Sequence, residues 1–184
     1  MAVTINAQAG SNTANSYATL DEAIAYMDTR LHKESWQTAG NEDKKRALVW
    51  ATRLLDDQVA WKGIKASNTQ SLRWPREYCP ERDSTSGGGY ENFDSGAGNP
   101  TEYLDGSEIP TFLINATVEF AMFLLAEDRT LETNRDLMGF KRMRVDVIEM
   151  EVDPWTKRPL LPASVWNIIK WYAETPGGLT LVRA

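Results

Sequence analysis

Asn41-Glu42-Asp43-Lys44-Lys45-Arg46-Ala47-Leu48-Val49-Trp50-Ala51-Thr52-Arg53-Leu54-Leu55-Asp56-Asp57-Gln58-Val59-Ala60-Trp61-Lys62-Gly63 reads as one long amphipathic helix. Asn41 is the expected cap, and Glu42 and Asp43 fall in the first turn, where the helix dipole favours carboxylates. Leu48, Ala51, Leu55 and Val59 form one apolar stripe, and Ala47, Trp50, Leu54 and Trp61 form the next. Two adjoining stripes make a broad buried face, as in a bundle helix. Gly63 is the expected stop.

Working outward, Thr19 and Glu22 make a capping box. Leu20, Ala23, Ile24, Met27 and Leu31 then follow at helical spacing, which predicts a helix over roughly 20–32. Downstream, Pro110 suits the first position of a third helix, where its missing amide costs nothing. Leu113, Ala116, Thr117, Phe120 and Leu124 share one face of it, and Ile114, Val118, Ala121 and Leu125 the next, so this helix is expected at the centre of the domain. Residues 143–152 alternate apolar and charged with one slip of phase between Val147 and Ile148, which predicts a strand with a bulge or bend. Ser164 is the expected cap of a last helix carrying Val165, Trp166, Ile168, Ile169 and Tyr172, which Pro176-Gly177-Gly178 ends. The fold class is therefore mostly α, a small helical bundle with a short β element near 140–152, a long acidic loop and an extended C-terminal tail. Its expected organisation is an exposed arm at 1–15, one helical domain at 16–175 with loop 76–109 inserted, and a tail at 176–184.

The composition narrows the chemistry. The chain has 184 residues, enough for one domain with its own core, and 42% are hydrophobic. Twenty-six acidic residues against 20 basic ones give a net charge of −6, which opposes tight grip on a phosphate backbone. One cysteine, Cys79, and one histidine, His32, leave no disulfide framework and no Cys/His zinc set. Neither a signal peptide nor a membrane-length apolar run is present, so a soluble product made in a reducing cytoplasm is expected.

Candidate sites are few. Residues 76–109 are rich in glycine and carboxylate, and are expected to lack regular structure and to order only against a neighbour. Asp94-Ser95-Gly96-Ala97-Gly98-Asn99 lacks the spacing of a calcium loop. Asp56 and Asp57 are adjacent on a helix and point apart, so they make no acid–base pair. Lys44-Lys45-Arg46 and Lys141-Arg142-Met143-Arg144, with Phe140 beside the latter, are modest basic clusters read as solvated surface. Trp74-Pro75 fixes an extended turn, read with Arg76 as the anchor from which the long loop leaves the body. No catalytic, cofactor-binding or metal residue is nominated.

Four segments in order carry a resemblance: Ala14-Asn15-Ser16-Tyr17-Ala18-Thr19-Leu20-Asp21-Glu22-Ala23, Ala51-Thr52-Arg53-Leu54-Leu55-Asp56, Leu72-Arg73-Trp74-Pro75-Arg76, and Gly106-Ser107-Glu108-Ile109-Pro110. Together they resemble the head-tail adaptor (connector, or neck) proteins of tailed bacteriophages, a family that also carries the label DnaT-like single-stranded-DNA-binding protein. The loop before Ile109-Pro110 is longer here than is usual in that family. The resemblance implies a structural virion protein in the neck, made in the host cytoplasm. It would form a ring, commonly of twelve copies, under the portal and contact the next neck or tail component. DNA would pass through without specific binding, and neither catalysis nor a cofactor is implied. Family members dock on the portal through their C-terminal segments, which here nominates Leu179, Thr180, Leu181, Val182 and Arg183. The competing reading is a single-stranded-DNA-binding or primosome-type accessory protein, which would need a basic groove with interleaved aromatics.

Overall fold

A computed structural model describes residues 2–82, 103–130, 142–145, 148–151 and 159–174. Its helices are α1 (Leu20–Asp28), α2 (Glu34–Thr38), α3 (Asn41–Gln58), α4 (Thr111–Ala126) and α5 (Ala163–Ile169). Its short strands are β1 (Ala60–Trp61), β2 (Ile64–Lys65), β3 (Arg76–Glu77), β4 (Arg142–Val145), β5 (Ile148–Glu151) and β6 (Ala173–Glu174). The fold is mostly helical. α4 is its axis, packing on α1, α2, α3 and α5, because it is apolar around most of its circumference. Leu113, Ala116, Val118, Phe120 and Ala121 are all fully buried. From α3, the stripe Leu48, Ala51, Leu55 and Val59 enters the same core, and each large aliphatic side chain so buried contributes about 1.5–3 kcal/mol. Two buried threonines satisfy their hydroxyls within their own helices: Thr52 donates to the Leu48 carbonyl at 3.0 Å and Thr117 to that of Leu113 at 2.8 Å.

Several boundaries differ from the sequence expectation. α1 has its Thr19/Glu22 capping box but ends at Asp28, four residues early. The Arg30 guanidinium donates to the carbonyls of Leu31 and His32, at 2.6 and 2.8 Å, and His32 sits at φ +54°. Leu31 is consequently 80% exposed, outside the stripe it was assigned to. The turn α2 went unforeseen; it buries Trp36. α3 is capped by Gly40, not Asn41. It stops at Gln58 because Ala60 and Trp61 pair antiparallel with Glu174 and Ala173, and long-range pairing overrides a helical pattern. Gly63, at φ +74°, is instead the turn between β1 and β2. Pro110 and Pro162 are the residues just before α4 and α5, so Ser164 lies inside the last helix. That helix ends at Ile169 rather than near Pro176.

The segment expected as one bulged strand is two: β4 and β5 pair antiparallel from Arg142↔Glu151 to Val145↔Ile148, so the phase slip marks a reversal of the chain. Arg76 and Glu77 are not loop but β3, paired with Lys65 and Ile64. Beyond them, Pro80 bridges Tyr103 and the Leu104 amide donates to the Cys79 carbonyl at 2.9 Å, so the two ends of the acidic stretch are held side by side. Residues 83–102, and with them the expected loop behaviour and Asp94–Asn99, lie outside the described residues. So do 175–184, the tail.

The N-terminal residues are partly exposed and hydrogen-bonded to the body. The Val3 amide donates to Glu42 Oε2 at 2.7 Å, and Asn6 and Asn15 exchange bonds of 2.8 and 2.9 Å. Ile5 packs on the core, and the Ser71 hydroxyl donates to the Ala14 carbonyl at 2.6 Å.

Candidate functional site

The segment from Ser67 to Arg76 is held by side chains that satisfy its own backbone. Gln70 is buried; it accepts from the Ser67 amide at 2.9 Å and donates to the carbonyls of Leu72 and Pro75, both at 3.0 Å. Trp74 is 1% exposed, with a cis peptide to Pro75. Its ring meets Trp61 and Phe112 edge-on at centroid distances of 5.7 and 5.6 Å, a favourable geometry for aromatic quadrupoles. Phe112 in turn stacks on Tyr172 at 4.0 Å, so the aromatic run joins this segment to α4 and the strand end. Arg76 lays its guanidinium over the turn between β1 and β2, donating to the carbonyls of Trp61, Lys62, Gly63 and Arg73. Burial pulls its pKa below the usual arginine value. Arg76 is therefore a brace of the fold.

A second group ties three segments together. The Tyr17 hydroxyl donates to Asp56 Oδ1, the Arg73 amide donates to Oδ2 at 3.2 Å, and the Tyr17 amide donates to Thr52 Oγ1 at 3.1 Å. Burial raises the Asp56 carboxyl above the usual range, against the lowering effect of both hydrogen bonds. Burial, then the Asp56 charge, raises Tyr17 as well.

Outside that latch lies a cleft of roughly 600 Å³ between α3 and the Ser67–Arg76 segment, rimmed by Arg53, Lys65 and Arg73 with Asp56 and Asp57 on the α3 side. Arg53 and Arg73 are exposed and make no ion pair among the described residues. Arg53 also lines a neighbouring groove of roughly 800 Å³ whose apolar wall is Val49, Trp50, Leu124 and Leu125. Arg46, Trp50 and Arg53 follow at helical spacing along that groove, with the Trp50 indole 42% exposed.

The strand end of the molecule carries a different surface. Ile64, Tyr78, Tyr103 and Trp171 are all exposed there, Tyr78 by 62%. The Tyr78 and Tyr103 rings meet edge-on at 5.8 Å, and the Arg82 guanidinium lies 4.8 Å from the Trp171 ring.

Of the basic residues singled out in the sequence, Lys45 and Arg46 pair with Glu42 and Asp43, and Lys44 sits over the Trp36 ring at 5.4 Å. Arg142 and Arg144 belong to β4; Phe140 and Lys141 lie outside the described residues, as do Leu179, Thr180, Leu181, Val182 and Arg183. Cys79 is a buried free thiol, raised in pKa by that burial. His32 is exposed. Among the described residues no cluster of His, Cys, Asp or Glu could hold a metal, and no helix is long and apolar enough to cross a membrane. Sequence reading missed Gln70 and Glu119. Glu119, on α4, is buried, with Arg30 Nε at 2.6 Å and the Tyr26 hydroxyl at 3.0 Å on its Oε1. Only a polar residue on an otherwise apolar face signals it.

Residues 1–88 match the family model described as "Putative DnaT-like ssDNA binding protein". The matched span runs from the N-terminus through β3, so it contains Arg46, Trp50, Arg53, Lys65 and Arg73 and stops short of α4. No curated protein and no solved structure matches the chain.

Proposed function

We propose that the chain is a structural head-tail adaptor, a subunit of a homo-oligomeric ring under a phage portal that continues the DNA channel and joins the head to the tail. The observation that carries this reading is the strand end. Ile64, Tyr78, Tyr103 and Trp171 stand exposed together on a body whose core is already closed, and exposed aromatic clusters of this kind suit protein interfaces. The sequence resemblance to the adaptors supplies the partner class: the portal on one side, the next neck or tail component on the other. The role is one of assembly in the virion neck and asks no catalysis of the chain. Portal docking is assigned to Leu179–Arg183, after the adaptors that the sequence resembles. The test is a mass measurement of the purified protein with and without its cognate portal protein. A ring of copies on the portal is expected; two proteins that elute separately at every concentration would overturn the reading. Removing residues 179–184 is expected to abolish that binding while leaving the helical circular-dichroism signal intact.

A second reading has its own support. The family match over residues 1–88 carries a single-stranded-DNA label, and Arg46, Trp50 and Arg53 line one groove within that span. Cations interleaved with an exposed indole are what a single strand requires. Titration with an unstructured oligonucleotide separates the two: the adaptor reading expects weak binding at physiological salt, and sub-micromolar affinity with a steep salt slope favours the second.

A further inference from the structure

The two-stranded ladder β2–β3 has oppositely charged faces. Residues paired across an antiparallel ladder share a face, and successive residues alternate between faces. Lys65 pairs with Arg76 and Ile64 with Glu77. Lys65 and Arg76 accordingly line the cleft, where Arg53 and Arg73 add two further cations. Glu77 lies on the opposite face, its side chain packed at the backbone of Gly106, where an added Cβ would stand 3.0 Å from Glu77 Cγ. Asp105 and Glu108 flank that glycine, exposed, with the exposed Tyr78–Tyr103 pair at the same end.

The geometry points to a head-to-tail contact between two copies of this chain, in which the Glu77/Glu108 face of one, with its tyrosines, seats in the Arg53/Lys65/Arg73 cleft of the next. Charge complementarity selects this occupant. The cleft carries both signs, since Asp56 and Asp57 stand beside the cations, and that pattern suits a protein face with acidic, aromatic and backbone groups. A phosphate strand presents one sign only and offers nothing to match Asp56 and Asp57. Because the two surfaces are different patches of one molecule, the contact is heterologous; it propagates from copy to copy and closes into a ring if the rotation allows. The inference rests on the adaptor reading for its expectation of a homo-oligomer, and adds where the copies meet.

Two charge reversals of the full chain test it: Arg53→Glu with Arg73→Glu in the cleft, and Glu77→Lys with Glu108→Lys on the opposite face. Native mass spectrometry and light scattering are read on each, free and with the cognate portal protein, after circular dichroism confirms an unchanged fold. Either reversal alone is expected to shift the assemblies of the unmodified chain to monomers, and high salt to do the same to the unmodified chain. The chain carrying all four changes is expected to assemble again, since both faces are reversed together. Three results would overturn the contact: an unmodified chain monomeric under both conditions, a cleft reversal that leaves assembly unchanged, or a fourfold variant that stays monomeric. The cleft reversal abolishing oligonucleotide binding without altering mass also overturns it, in favour of a nucleic-acid strand. The adaptor reading fails separately: unmodified chain that assembles in this charge-dependent way yet never binds portal retains the contact and loses the role.

Discussion

The Tyr17 hydroxyl donates to the carboxylate of Asp56, 39 positions away, and the same carboxylate receives the Arg73 amide. One side chain on α3 thereby fixes both the turn that precedes α1 and the segment that carries Trp74. Two segments distant in sequence, at Tyr17 and at Arg73, each supply one donor to the carboxylate that the third, α3, carries.

Tyr17→Phe removes one donor and leaves the half-buried Asp56 short of a bond, so a loss of about 1–3 kcal/mol is expected in urea unfolding at neutral pH. Asp56→Asn tests the charge. The folded-state pKa of Asp56 is raised, burial being the largest cause. The native state therefore holds the proton more tightly than the unfolded chain, whose aspartates titrate near ~3.9. Ionising Asp56 costs stability, and that cost grows as pH rises from about 4 through the folded value. The gap between Asp56→Asn and the unmodified chain should move in favour of the variant over that rise. Parallel stability curves across the window would show that the burial cost is absent.

Glu42 carries the opposite sign. Its carboxyl is held below the usual glutamate range, first by the Val3 amide and then by Lys45. A depressed folded value contributes stability that is present above the unfolded pKa of about 4.3 and is lost as pH falls through the folded one. Glu42→Gln is expected to speed hydrogen exchange at the Val3 amide at neutral pH and to remove its acid dependence, with little change in global unfolding. Unchanged exchange at Val3 would mean that the N-terminal segment is held by Asn6, Asn15 and Ile5 without this bond.

How much of this was legible in the sequence depends on whether a residue's partner is near in the chain. The Leu48–Ala51–Leu55–Val59 stripe, the Thr19–Glu22 box and the apolar α4 rest on local periodicity or capping, and the structure has them all. The early ends of α3 and α5 come from one distant pairing, Ala60↔Glu174 with Trp61↔Ala173, which no local window contains. The early end of α1 comes from Arg30, whose Nε bonds Glu119 at 2.6 Å, 89 positions away. The cleft was illegible for the same reason: Arg53, Lys65 and Arg73 are scattered in sequence and converge only because the Ser67–Arg76 segment folds back on α3. In the stretch LRWPR, the Trp-Pro pattern was conspicuous, whereas the burial of Gln70 beside it had no sequence signal.

Glu119 offers a direct check on that distant tie. Its Arg30 partner is a quarter exposed and Glu119 itself is 8% exposed, so removing the charge costs less than breaking a fully buried pair: about 2–3 kcal/mol for Glu119→Gln. The second readout is spectroscopic. Burial, followed by the Glu119 charge, pushes Tyr26 up to about 12. In Glu119→Gln the charge is gone while the burial stays, so its ultraviolet titration should move down but remain above 10, the ordinary tyrosine value. A Tyr26 titration that does not move would mean that its hydroxyl does not face this carboxylate.

The aromatic run through Trp74 joins the Ser67–Arg76 segment to α4, and two substitutions separate its packing from its turn geometry. Trp74→Ala opens a cavity between Trp61 and Phe112 and is expected to cost about 3–5 kcal/mol, as for a large aromatic removed from a core. Gly63→Ala leaves that packing alone and strikes the β1–β2 turn. Gly63 is at φ +74°, and a Cβ there would run into the Glu77 carbonyl oxygen and stand 3.0 Å from the Cys79 amide nitrogen. Strain and collision act together, so a loss above about 1 kcal/mol is expected. It should be accompanied by faster amide exchange at Ile64 and Glu77, the bonded pair of the β2–β3 ladder beside that turn. Because Arg76 braces the same turn through the Gly63 carbonyl, Arg76→Lys should loosen the same amides, since a lysine cannot reach four carbonyls with one ammonium. If Gly63→Ala proves neutral while Arg76→Lys loosens the strands, the turn relaxes without its glycine and the brace alone holds the ladder.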